Sequence, residues 1–111
     1  MQKRWRLTRH AEAALTDIAD WTIDAFGPLQ AHAYEEDLIA RCRAIAEGAV
    51  HSRSCRDFVD GTLPGDLRFT RVGQHFIVYL ETAEEIAILD VLHARSDLPA
   101  KLAWLAERRG R

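Results

Sequence analysis

The chain has 111 residues, of which 48% are hydrophobic and 29% charged, and its formal net charge is −2. This length and apolar content predict one domain, residues 1–111, with a core that needs neither disulfides nor a metal. The balanced charge argues against a protein that binds nucleic acid through bulk electrostatics, because such proteins carry a clear basic excess. No apolar stretch is long enough to span a membrane and two cysteines make no disulfide framework, so we expect a cytoplasmic protein.

The first half of the chain predicts a strand and two helices. Residues 4–8 alternate in character, which is typical of a short strand. Apolar residues then recur at three- and four-residue steps over about 11–26 and again over about 28–47, which indicates two amphipathic helices. Gly27-Pro28 separates them, since glycine suits a helix C-terminus and proline the first turn of the next helix. With almost no linker, the two helices must pack as an antiparallel hairpin.

The second half predicts a loop and three strands. Residues 51–65 carry no clear period and several turn signals, so we expect a loop with a short strand near 57–59. Strands follow at 66–72, 75–81 and 85–93. The last two are apolar on both faces, which places them near the middle of the sheet, and the short connections make the three an antiparallel meander.

A short helix is predicted at the C-terminal end. Asp97 is suited to an N-cap with Pro99 just inside, and the helix runs from about 98 to 107. A basic tail, residues 108–111, complements its negative end. The order β–αα–βββ–α predicts an α+β fold in which a helical hairpin covers one face of a small, mainly antiparallel sheet.

The residue pattern does not indicate a reactive centre. The five histidines lack metal-ligand spacing, and no nucleophile motif or phosphate-binding glycine loop is present, so we predict no metal, no cofactor and no catalytic residue. Cys42 has a core-facing position on the second helix. Cys55 falls in a polar loop, where it could be a free thiol.

Arginines are the more informative polar residues. Spread along a sheet edge and its loops, they could converge on phosphate or carboxylate groups. Taken singly, exposed arginines that confer solubility are the commoner explanation. Arg68 and Arg95 are the exceptions, because each is predicted at a strand end that faces a groove. The five arginines concerned are Arg53, Arg56, Arg68, Arg71 and Arg95.

Several segments together form a pattern that is specific in order and spacing. A strand that ends in Val-Leu-His, followed by an arginine and an aspartate, lies within residues 88–98. The preceding segments are Leu7 to Ile18, Phe26-Gly27, a second helix with Tyr34, Leu67-Arg68 and Phe76 to Leu80. Over essentially the whole chain, this pattern resembles the ParE toxins of the RelE/ParE superfamily.

The resemblance implies a bacterial type II toxin that binds and inhibits DNA gyrase without catalysis. It also implies a ParD-like antitoxin, commonly a ribbon-helix-helix DNA-binding protein, that wraps the toxin with an extended segment and an amphipathic helix. The two would form a hetero-oligomer that meets DNA only through the antitoxin.

Residue roles are expected only at the level of a face. Tryptophan and arginine are the usual anchors of binding hot spots, so the terminal segment is the expected target-binding surface. The residues expected to contact the antitoxin are Arg68, Arg71, Tyr79 and Arg95, and those expected to bind the target are Trp104, Arg108 and Arg109.

RelE relatives with the same fold cut messenger RNA on the ribosome, and this is the alternative function. That chemistry needs basic side chains around the phosphate and a general acid or base near the 2′-hydroxyl. The chain departs from the RelE pattern, because its only lysines are Lys3 and Lys101 and no tyrosine follows Tyr79. His93 or Arg95 could substitute. A third possibility is a non-toxic module that still binds an antitoxin.

Overall fold

A computed structural model describes residues 2–58 and 61–108. The elements, in chain order, are β1 (Arg4–Leu7), α1 (Arg9–Phe26), α2 (Pro28–Ala46), β2 (Arg53–Ser54), α3 (Cys55–Phe58), β3 (Leu67–Val72), β4 (His75–Glu81), β5 (Glu85–His93) and α4 (Leu98–Arg108). This arrangement confirms the predicted α+β class, the helical hairpin and the meander. None of the helices within the described ranges is long and apolar enough to cross a membrane.

The five strands form one mixed sheet in the order β1-β5-β4-β3-β2. Strand β1 pairs in parallel with β5, and every other pairing is antiparallel. A mainly antiparallel sheet was predicted, and the central position of β4 and β5 agrees with their apolar character on both faces.

Local signals define the helix ends, and those at Gly27-Pro28 and Asp97 act as predicted. The Thr8 hydroxyl accepts a hydrogen bond from the backbone N–H of Ala11 at 3.1 Å, which caps α1. Gly27 ends α1 with φ +92°, a conformation that favours glycine, and Pro28 begins α2. At the other end of the chain, the Asp97 carboxylate accepts from the Ala100 N–H at 3.3 Å and caps α4.

The sheet is covered on both faces. The hairpin packs on one face, where Leu38, Ile77 and Ile88 are among the buried residues. Helix α4 packs on the other, where Leu102 and Leu105 meet the opposite side chains of β3, β4 and β5. The sheet therefore lies between two separate apolar layers, and α4 is part of the folded domain rather than an appendage.

The segment 51–65 differs from its prediction. Residues 53–54 form an edge strand and Cys55–Phe58 a helical turn, so no strand begins at Asp57, and Val59 lies outside the described residues. Cys55 is fully buried with Leu63 and Leu67, and burial raises the pKa of its thiol to about 12. Cys55 is a free thiol, as expected, but its predicted placement in a polar loop is wrong, because tertiary packing draws this segment against the sheet.

Candidate interaction surfaces

Arg68 lies near the start of β3 and is held by the protein itself. Its Nε donates to the Ser52 hydroxyl at 2.8 Å, and a terminal nitrogen donates to the Ser52 carbonyl oxygen at 3.1 Å. Its Nε is also 3.9 Å from a carboxylate oxygen of Glu81. A guanidinium with these partners fastens β3 to the segment before β2 and keeps only part of its surface for a ligand.

Tyr79 is opposite Arg68 in the β3–β4 register and is only 2% exposed. Burial raises the pKa of its hydroxyl, and the neighbouring Ser52 and Arg68 side chains offset part of that rise. Tyr79 was expected to contact the antitoxin, but a side chain this buried belongs to the core and offers almost no surface to a partner.

Arg71 and Arg95 lie at the opposite end of the sheet from Arg68. Arg71 pairs with Phe76 near the β3–β4 turn, and its Nε donates to the Gly73 carbonyl oxygen at 2.9 Å. Arg95 follows β5, whose last residue pairs with the first residue of β4. The structure therefore brings Arg71 and Arg95 to one end and does not bring Arg68 to them.

Helix α4 presents the predicted aromatic and basic pair. Trp104 is 42% exposed, and the Arg108 guanidinium carbon lies 4.1 Å from the centre of its ring. The Trp104 ring also contacts His10, with centroids 5.0 Å apart, and His10 Nε2 lies 3.0 Å from the buried Asp90 carboxylate. The contacts with Arg108 and with the Asp90-bound His10 hold the Trp104 ring in one orientation. Arg109, the third predicted target-binding residue, lies outside the described residues.

A groove of about 580 Å³ opens where the hairpin extends past the end of the sheet; we call it the aromatic groove. Trp21 and Phe26 form its outer wall, in edge contact at 5.8 Å, and they are 63% and 58% exposed. Ile18, Thr22 and Gln30 line its sides. Its inner wall consists of Tyr34, Gln74, His75 and His93, and Asp17 completes the lining.

Three titratable side chains meet at the inner wall of the aromatic groove. The Tyr34 hydroxyl is 2.6 Å from His75 Nδ1, and the rings of His75 and His93 are 5.2 Å apart. Burial and the neighbouring His93 lower the pKa of His75. The backbone N–H of Arg95 donates to His93 Nδ1 at 3.0 Å, which leaves Nε2 of a neutral His93 as the protonated nitrogen.

The sequence alone did not indicate the groove or its histidine pair. His75 and His93 are 18 positions apart, and only the antiparallel register of β4 and β5 makes them partners. The predicted strand limits 75–81 and 85–93 contained the signal, since the first residue of one strand opposes the last residue of the next in a hairpin. In the described ranges, no three His, Cys, Asp or Glu side chains gather as they would around a metal ion.

The order and packing of these elements define a RelE/ParE-like α+β fold. More specifically, the chain belongs to the family of ParE toxins of type II toxin–antitoxin (parDE) systems, whose family model matches residues 5–98. Among solved structures, it is similar to a chain described as the chromosomal ParDE toxin–antitoxin system from P. aeruginosa. The two are 16% identical with a TM-score of 0.59, over 83% of this chain and 96% of that one. No curated protein matches the chain in sequence.

Proposed function

We propose that this ParE-family toxin acts by binding DNA gyrase and inhibiting it, rather than by catalysing a reaction. The observation that carries the proposal is the pair Trp104 and Arg108 on α4. The two side chains stack at 4.1 Å, and Trp104 rests on His10, so the pair is ordered before any partner arrives. Ordered tryptophan and arginine side chains are the usual centres of protein–protein hot spots, because little entropy is lost when they bind.

We further propose that a ParD-like antitoxin neutralises the toxin in a hetero-oligomer in the bacterial cytoplasm. Arg71 and Arg95 lie at one end of the sheet, and Arg95 is exposed. An antitoxin with an acidic, helical C-terminal half would supply carboxylates to these guanidinium groups, and Arg68 would contribute at the other end through its exposed part. The similar P. aeruginosa structure, a ParDE toxin–antitoxin system, is consistent with such a partner.

The gyrase proposal is tested with purified, antitoxin-free protein in a supercoiling assay and in a translating-ribosome assay. Loss of supercoiling with intact message is expected. Trp104→Ala and Arg108→Ala should raise the concentration for half inhibition by about tenfold or more. Arg43→Ala is the matched control, since Arg43 is also an exposed arginine in the last turn of a helix. Inhibition that is equally sensitive to all three substitutions would contradict the assignment to α4.

The antitoxin proposal is tested by binding the partner encoded in the adjacent reading frame. Arg95→Glu should weaken that complex by about tenfold, because an attractive charge pair becomes repulsive, whereas Arg43→Glu should leave it unchanged. An unchanged affinity for the Arg95 variant would remove Arg95 from the interface.

Ribosome-dependent RNA cleavage remains the second candidate, and one observation favours it. His75 and His93 stand 5.2 Å apart at the end of the sheet that also holds Arg71 and Arg95. Two imidazoles beside two guanidinium groups could supply a general acid, a general base and phosphate stabilisation. Message cleavage in the ribosome assay that disappears in His93→Ala or Arg95→Ala protein would replace the gyrase proposal with this one.

A further inference from the structure

The outer wall of the aromatic groove exposes more apolar surface than a solvated helix end requires. Trp21 and Phe26 touch each other, yet both are more than half exposed. Monomeric proteins rarely leave contiguous aromatic surface in water, and such patches usually mark an interface. The groove beside these rings has room for side chains that the chain itself does not supply.

Opposite charges flank the two sides of the groove. Asp17, Asp20 and Asp24 follow one another at three- and four-residue steps, so they form an acidic strip along α1 next to Trp21. The other side carries the two imidazoles and, just beyond them, Arg95. Within residues 2–58 and 61–108, neither the acidic strip nor the Arg95 guanidinium has an ion-pair partner.

We propose that the occupant of the aromatic groove is a second copy of this chain, related by a two-fold axis. A two-fold interface uses the same patch on both copies, so the patch must complement itself. The surface around the aromatic groove complements itself, because a two-fold rotation sets the acidic strip of each copy against the Arg95 side of the other. The same rotation presents Trp21 and Phe26 of each copy to the groove of the other.

The available area indicates a weak dimer. An aromatic side chain buries about 150–250 Å² when covered, so four half-exposed rings would remove on the order of 500 Å² of apolar surface from water. The charged rims would bring the total to the lower end of specific interfaces, about 1,200 Å². We expect a dissociation constant in the micromolar range for the antitoxin-free chain, since an antitoxin that contacts Arg95 would compete with the second copy.

Analytical ultracentrifugation of the antitoxin-free chain, from about 2 to about 200 µM, tests the proposal. The chain should pass from monomer to dimer over this range, and Trp21→Ala and Phe26→Ala should each weaken the dimer by about tenfold or more. Ile23→Ala is the matched control, because Ile23 is 44% exposed on the same helix but lies about 200° around it from Trp21. Circular dichroism would confirm that all variants fold.

A charge exchange tests the orientation of the two copies. Asp24→Lys and Arg95→Glu should each weaken the homodimer, and an equimolar mixture of the two should recover a heterodimer, since each altered charge then faces its opposite. A chain that stays monomeric at about 200 µM would overturn the proposal. A dimer that is insensitive to Trp21→Ala and Phe26→Ala would also overturn it. If the chain is monomeric and these two substitutions weaken only antitoxin binding, the groove belongs to the antitoxin and the proposal is wrong.

Discussion

The Tyr34 hydroxyl lies 2.6 Å from Nδ1 of His75, and this contact joins α2 to the first residue of β4. The same hydroxyl is 3.1 Å from the Val72 carbonyl oxygen and accepts the backbone N–H of Gln74 at 3.3 Å. The turn between β3 and β4 is thus closed against a helix. A Cβ on Gly73 would lie 2.9 Å from the Tyr34 hydroxyl, so side chain and turn fit only while residue 73 is glycine.

We predict that Gly73→Ala destabilises the protein more than Gly48→Ala does. Both glycines have positive φ, +56° and +75°, so both substitutions carry a backbone cost of about 1 kcal/mol. Only Gly73 also has Tyr34 within contact distance, whereas nothing lies within 4 Å of a Cβ on Gly48. Urea unfolding should show a loss of about 2 kcal/mol or more at Gly73 and about half that at Gly48. Equal losses of unfolding free energy in the two variants would mean that the turn moves freely away from Tyr34.

We predict that His93→Ala raises the pKa of His75. Burial is the first cause of the lowered pKa of His75 and the charge of His93 the second, so removing His93 should relieve only part of the shift. NMR pH titration of the imidazole resonances measures this directly, with His51→Ala as a control that leaves His75 unchanged. An unchanged pKa of His75 in the His93→Ala protein would mean that burial alone lowers it.

The lowered pKa of His75 also determines how the stability of the protein changes with pH. The unfolded chain takes up a proton at His75 near pH 6.5, where the folded chain does not. The contribution of His75 is therefore present above pH 6.5 and is lost as the pH falls through that value. The loss between pH 7 and pH 5 should be smaller in His75→Gln protein than in the unaltered chain.

We predict that neither cysteine reacts with a thiol reagent while the chain is folded. Burial raises the pKa of Cys42 to about 11 and that of Cys55 to about 12, so the thiolate is scarce and covered. Incubation with a thiol reagent at about pH 8 should modify neither thiol, and both should react in denaturant. Rapid reaction of Cys55 in the native chain would contradict its placement in the core.

The raised thiol pKa values also predict alkaline destabilisation. Above pH 9 the unfolded chain releases thiol protons that the folded chain retains, so the free energy of unfolding should fall as pH rises. The free energy of unfolding should fall by at most about 1.4 kcal/mol per pH unit for each thiol. Because other side chains also lose protons at alkaline pH, the measurement is the difference between the unaltered chain and a Cys42→Ala, Cys55→Ala variant.

We predict that His10 and Trp104 are energetically coupled. Their rings are 5.0 Å apart, and His10 is also bonded to Asp90, so Trp104→Ala removes packing that His10 supports. A double-mutant cycle of His10→Ala and Trp104→Ala, followed by urea unfolding, should give a coupling energy of about 0.5–1.5 kcal/mol. If the two losses of unfolding free energy are strictly additive, α4 packs on the sheet through Leu102 and Leu105 without help from the His10–Trp104 contact.

The elements that could be predicted from the sequence are those with local causes. Thr8, Gly27-Pro28 and Asp97 act through their own backbone or the next few residues, so their effects depend little on the rest of the fold. The segment 51–65 could not be predicted in this way, since Cys55 is buried by residues that come later in the chain.

The candidate site was predicted only in its residue types. Trp104 and Arg108 were expected to form a binding surface together, and they do contact each other because i and i+4 share a helix face. Tyr79 was expected at a surface, but the register of β4 turns it toward the hairpin, where it is buried. The aromatic groove was not anticipated at all, because its walls come from both helices of the hairpin and from strands that follow much later in the chain.

Apolar spacing and turn residues along this chain are sufficient to determine its helices, its meander and the break between α1 and α2, because those features depend on steric and hydrogen-bonding preferences within a few residues. Only the tertiary structure decided that β1 pairs in parallel with β5, that His75 opposes His93 and that α4 closes the second face of the sheet. Strand register and helix docking depend on which distant apolar surfaces meet, and one chain's local preferences are compatible with several such pairings.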